Sequence, residues 1–144
     1  MPAMPLLSLL VWLAGAGQLV LVAASTTIPR VLGWHEELRV LRSLTRQVFW
    51  NYAGYILMTN FWFGLISVTI PGALVDRSPL AVAVTAFITL YWAVRIAVQL
   101  FYFDRSSAPS GRLFAAAEAA LLLLFVGLTG VYGAALAHNL GLLR

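Results

Sequence analysis

Apolar residues run almost unbroken over four stretches, about 6–28, 48–70, 80–103 and 113–137, and three polar connections separate them. Each stretch reaches roughly 34–38 Å at 1.5 Å per residue, more than the ~30 Å of a hydrocarbon core. Strand-type alternation is absent, and a chain in lipid must satisfy its backbone hydrogen bonds within each segment, as a helix does. The pattern predicts an all-α, polytopic integral membrane protein: one domain over residues 1–144, folded as an antiparallel bundle of four transmembrane helices. In the first connection, Leu38, Leu41, Leu44 and Val48 recur at helical spacing opposite Arg39, Arg42 and Arg46. This predicts a short amphipathic cytoplasmic helix between the first and second spans, seated among lipid headgroups with Trp34 at the boundary.

Composition agrees with lipid as the medium. The chain is 62% hydrophobic and 10% charged, against about 45–50% and 25% in soluble domains. All nine basic residues are arginines, giving a net charge of +4. They flank the spans and sort by side, which reads as topology and not as a nucleic-acid surface. The first and third connections hold Arg30, Arg39, Arg42, Arg46, Arg105 and Arg112, whereas Arg77 and Arg144 lie in the second connection and the tail. The imbalance predicts cytoplasmic first and third connections, both termini outside, and residence in a bacterial cell (inner) membrane. A cleavable leader ending near Ala24 is the rival for the first span. Residues 1–5 lack the basic residues a leader needs, and cleavage would strand the arginine-rich connection outside.

The chain has no cysteine, which removes thiolate catalysis, disulfides, iron–sulfur clusters and thiol-ligated zinc. His35 and His138 are expected on opposite sides of the membrane, so a bis-histidine haem within one chain is not expected. His35-Glu36 begins like the zinc motif HExxH, but Arg39 stands where the second histidine belongs. Glu36 instead suits an i,i+3 ion pair with Arg39. Neither cofactor nor metal is expected.

The candidate chemistry is polar and lies inside the spans. Tyr91, Arg95, Gln99 and Tyr102 fall at i, i+4, i+8 and i+11 and should share one helix face. Arg95 lies about 12 Å from the cytoplasmic end of its span, Glu118 about 7.5 Å, and Asn51 and Tyr55 about 6 and 12 Å. These groups can occupy one layer, in which Glu118, Tyr55 or Asn51 would hold the Arg95 guanidinium. An intramembrane charge needs a partner or a wet cavity. The candidate ligand-binding set is therefore Arg95, Gln99, Glu118, Asn51, Tyr55 and Tyr91. On the second span, Asn51, Tyr55 and Trp62 share one face, and Ala53, Asn60, Gly64 and Ser67 share a face suited to helix contact. Gly127, Gly130, Ala134 and Ala137 form a small-residue stripe on the fourth, suited to close packing inside the chain or between copies.

The expected function is a small non-catalytic membrane protein that binds a lipid-like or anionic amphiphile, or serves as an accessory subunit of a larger assembly or homo-oligomer. A membrane enzyme on a lipid or isoprenoid phosphate, with Arg95 as anion clamp and Glu118 as acid or base, is the alternative. A transporter or channel protomer is a third class, disfavoured by the span count and the absence of a broken-helix pair.

Overall fold

The computed structural model describes residues 5–104, 106 and 110–143. Arg105, Arg144 and residues 1–4, which entered the topology and leader arguments, lie outside the described residues. The described residues form α1 (Leu6–Ser25), two single-turn helices α2 (Ile28–Val31) and α3 (Trp34–Glu37), α4 (Ser43–Thr69), α5 (Pro79–Ala97) and α6 (Arg112–Asn139). Short 3-10 turns cover Leu38–Val40 and Pro71–Leu74. Among the described residues, three segments are long and apolar enough to cross a membrane: Leu6–Val31, Pro79–Tyr102 and Arg112–Asn139. Helix α4 is long enough at 27 residues, but Asn51, Asn60 and its tyrosines and tryptophans dilute its apolar character, and it is not among the three.

Two helix ends in the described residues are closed by side chains of the chain itself. At the end of α1, Ser25, Thr26 and Thr27 each donate a hydroxyl to a carbonyl in the preceding turn, at 2.7 Å. Helix α5 starts at Pro79, whose missing N–H costs nothing at that position, and Ser78 Oγ accepts from Ala81 N at 3.1 Å. Ser78 also holds the exposed Asp76 carboxyl below the usual range by hydrogen bonding to it.

Helix α1 packs along α4, α5 packs along α6, and α1 joins the pairs by contacting α6. Glycine makes the α1–α4 crossing possible. A Cβ on Gly15 would lie 2.6 Å from Ser67 Cβ and 2.9 Å from the Gly64 carbonyl oxygen, and one on Gly64 would lie 3.1 Å from Gly15 O. The face with Gly64 and Ser67 is thus the inward one, while Trp62, on the other face, is exposed. The backbones of α4 and α5 stay apart. Phe63 bridges them through edge contacts to Phe87 and Tyr91, with centroids 5.6 and 5.3 Å apart.

Three expectations are corrected. Residues 29–47 are not one amphipathic helix: Gly33 adopts φ +65°, a left-handed turn, and Leu41 and Arg42 are extended. Leu44 and Val48 then belong to the first turns of α4, and the leucine and arginine faces never line up. The end of the third span is not α-helical either. Val98–Tyr102 forms a π-turn, which rotates Tyr102 off the Arg95 face and leaves it 80% exposed. The small-residue stripe does not serve packing within the chain at its glycines, since a Cβ on Gly127 or Gly130 would meet nothing within 4 Å. The Glu36–Arg39 pair does form, at 3.2 Å on the surface.

A buried relay and a cavity as the candidate functional site

Polar side chains gather at two places between the long helices. The first is a relay that engages α1, α4, α5 and α6. Trp92 Nε1 donates to Gln18 Oε1 at 3.2 Å, and Gln18 Nε2 donates to the Tyr132 hydroxyl. Ser67 Oγ donates its one proton to Phe63 O at 2.8 Å. Its 2.6 Å contact with Tyr132 must therefore have Tyr132 as donor. Protons run in one direction, from Trp92 through Gln18, Tyr132 and Ser67 to a backbone carbonyl. All four side chains are buried, and each of these donors meets an acceptor, so the relay is structural.

Beyond the relay, buried Asn139 clips the connection between α4 and α5. Its amide nitrogen donates to Leu74 O at 2.9 Å, and its oxygen accepts from Arg77 N at 3.1 Å. Arg77 holds φ +63°, a non-glycine residue in the left-handed region that this clip secures.

The second place is a cavity of about 620 Å³, within the roughly 300–1,000 Å³ typical of small-molecule sites. It forms where α4 and α5 diverge. Leu21 and Ser25 of α1, Trp34 of α3, Leu121 and Phe125 of α6, and a long run of α4 from Phe49 to Asn60 supply wall positions. Helix α5 contributes Tyr91, Trp92 and Arg95. Trp34 meets Phe49 edge-on at 5.2 Å, and His35 stacks on Trp50 at 4.8 Å, so the broken connection covers one end with aromatic rings. Tyr52 and Ile56, 65% and 55% exposed, mark the open side along α4.

Arg95 is the cation on this wall. Its guanidinium lies 5.0 Å from the Phe125 ring centroid and 5.3 Å from that of Phe103, which orients the charge against ring faces. Arg95 Nη1 donates to Gln99 Oε1 at 3.2 Å, and Gln99 Nε2 donates to Glu118 Oε1 at 3.3 Å. Gln99 thus couples Arg95 to Glu118. Its turn is the π-turn, a geometry often found at functional sites.

Of the residues picked from the sequence, Arg95, Gln99 and Glu118 form one connected group, and Tyr91 lies on the cavity wall with Arg95. Asn51 and Tyr55 are exposed on the opposite face of α4 and do not join that layer. Asn60, further along α4, is the polar residue of that helix that reaches the wall. It lies on the wall beside Tyr91, and its Oδ1 is sealed from solvent with no hydrogen-bond partner among the described residues. The helix-contact face pointed to Asn60, but as a packing residue. Trp92 and Tyr132 carry no periodic signal that separates them from other aromatic residues of the spans. Among the described residues, no group of three His, Asp or Glu side chains could hold a metal ion.

No family model, curated protein or solved structure matches the chain.

Proposed function

We propose that this chain is a non-catalytic membrane protein that binds an anionic amphiphile in the cavity between α4 and α5. The observation that carries the reading is the wall itself: apolar and aromatic side chains surround about 620 Å³ with a single guanidinium set among them. Apolar walls suit a hydrocarbon tail. A guanidinium suits phosphate or carboxylate, which it can grip with two parallel hydrogen bonds. In this reading α4 also crosses the bilayer, completing an antiparallel bundle of four spans. The first and third connections face the cytoplasm and both termini lie outside, following the arginine imbalance.

Binding is favoured over catalysis by the composition of the wall. Glu118 is held behind Arg95 by Gln99 and is not a wall residue, and the described wall carries no other carboxylate and no histidine. The tyrosines Tyr52 and Tyr91 are the acid–base side chains left on it, and neither has a partner on the wall that would activate it as a base.

The test is intact-complex mass spectrometry of the protein released from native membrane. The wild type is expected to retain an anionic amphiphile, and Arg95→Gln to lose it while staying folded by circular dichroism. Retention of the same molecules by the folded variant would refute the reading.

A further inference from the structure

Helix α4 turns outward groups that a lipid tail cannot satisfy. The outward residues of the other long helices are apolar, as at Leu13 and Val20 on α1, Leu90 and Val94 on α5, and Leu123 and Val126 on α6. On α4 the exposed Asn51, Tyr55, Met58 and Trp62 fall at i, i+4, i+7 and i+11 and share one face. In the four-span reading, on which this inference rests, Asn51 and Tyr55 sit about 6 and 12 Å inside the cytoplasmic boundary. An asparagine side chain is too short to reach the headgroups from the first depth, and a tyrosine from the second. Among the described residues neither side chain has a hydrogen-bond partner. Hydrocarbon offers none either.

A second copy of the chain supplies what is missing. Copies inserted by the same arginine asymmetry share one orientation, so their α4 helices run parallel with Asn51 at equal depth. An amide carries both N–H and C=O. Two amides facing each other across a two-fold axis therefore donate to one another and need no third group. A buried asparagine pair of this kind also sets register and helix number in coiled coils. Gly54, one turn along from Asn51, leaves room for the approach, since a Cβ there would meet nothing within 4 Å. We propose that two copies of the chain pair through this face of α4, with Asn51 of each copy hydrogen-bonded to Asn51 of the other. Pairing leaves the cavity accessible: Ile56, on its open side, lies about 140° around the helix from Asn51.

The chain has no cysteine, so single cysteines introduced into the full chain report on one position each. Met58→Cys tests the proposed face, seven residues from Asn51 and at the same heptad position. Ile56→Cys tests the cavity side of α4, and Gly130→Cys tests the small-residue surface of α6. On oxidation with copper phenanthroline in native membranes, a disulfide-linked dimer is expected from Met58→Cys and not from the other two. Asn51→Leu in the otherwise native chain is expected to weaken self-association about tenfold by sedimentation equilibrium in detergent, the worth of one interhelical amide contact; Asn51→Ala serves if Leu prevents folding.

Cross-linking of Met58→Cys no stronger than that of Ile56→Cys would overturn the inference, and so would unchanged association in folded Asn51→Leu. A charged, water-soluble maleimide applied to opened membranes separates either result from failure of the four-span reading. Met58→Cys is expected to resist the reagent. Resistance without cross-linking would end the pairing alone, whereas labelling would put this face of α4 in water and end both.

Discussion

The two ends of the helix assembly treat polar atoms in opposite ways. Around Tyr132 and Asn139 the polar side chains are buried and donate to one another or to backbone carbonyls. Around Arg95 and Asn60 they are partly exposed, line a cavity, and include a sealed oxygen without a donor. Backbone geometry follows the same division. At the relay, α1 and α4 meet at two glycines, whereas at the cavity α4 and α5 are held apart by aromatic rings. In low dielectric, a satisfied polar network fixes one arrangement of helices, and an unsatisfied one is costly unless something else supplies the bonds. The first end therefore reads as the clamp that sets the helices, and the second as the end where polar groups border a cavity, the one proposed above to hold a ligand.

Breaking the clamp should have the largest effect. The Cβ of Gly15→Ala would have to displace Ser67 and the Gly64 backbone, driving α1 off α4 one turn from Gln18. Overpacking costs roughly 1–3 kcal/mol, and the relay bonds to Gln18 would be lost as well, so destabilisation of about 3 kcal/mol or more is expected. Thermal unfolding in detergent measures it. A variant as stable as the wild type would mean that the helices tolerate separation there and that the contrast between the ends is false.

A smaller change sharpens the contrast without moving a helix. Tyr132→Phe removes one oxygen, leaving Gln18 Nε2 without its acceptor and Ser67 Oγ without its donor. The expected loss is about 1–3 kcal/mol. Gln18→Leu combined with Tyr132→Phe should cost less than the sum of the singles, because the second change removes the group that the first left stranded. Additive losses would show that the relay is not a connected unit.

The long helices, and the depth at which polar residues sit, were legible in the sequence because both follow from hydropathy and the rise per residue. Arg95, Gln99 and Glu118 came together for that reason. Asn51 and Tyr55 matched Arg95 in depth but not in direction, since depth says nothing about which face of α4 turns inward. The Gly15–Gly64 approach settles that, and it depends on two helices at once. Tyr102 failed on the spacing itself: the π-turn adds to the α period and shifts every later residue around the axis. The connection failed on backbone conformation, because Gly33 and the extended pair Leu41–Arg42 interrupt a pattern that would otherwise be helical. The relay was unreadable because its members are scattered across four helices, and Gln18 is a lone polar residue in an otherwise apolar run.

The smallest effect is expected on the outer surface of α6, which belongs to neither end. Gly127 and Gly130 are exposed, and a Cβ at either would meet nothing within 4 Å. A leucine at Gly130 therefore enters open space and replaces a poor helix former with a good one, a gain of at most about 1 kcal/mol. Gly130→Leu is expected to leave the stability of the single chain unchanged or slightly raised, in contrast to Gly15→Ala, although both enlarge a glycine in a long apolar helix. Sedimentation equilibrium in detergent, run beside the unfolding measurement, separates two uses of that surface. If it meets lipid, mass and stability both stay as they are in the wild type. If small residues let copies of the chain approach there, the wild type sediments as an oligomer and Gly130→Leu as a monomer. If the wild type is itself a monomer, a variant that loses stability would contradict the open space at Gly130, and with it the helix arrangement from which the two ends were distinguished.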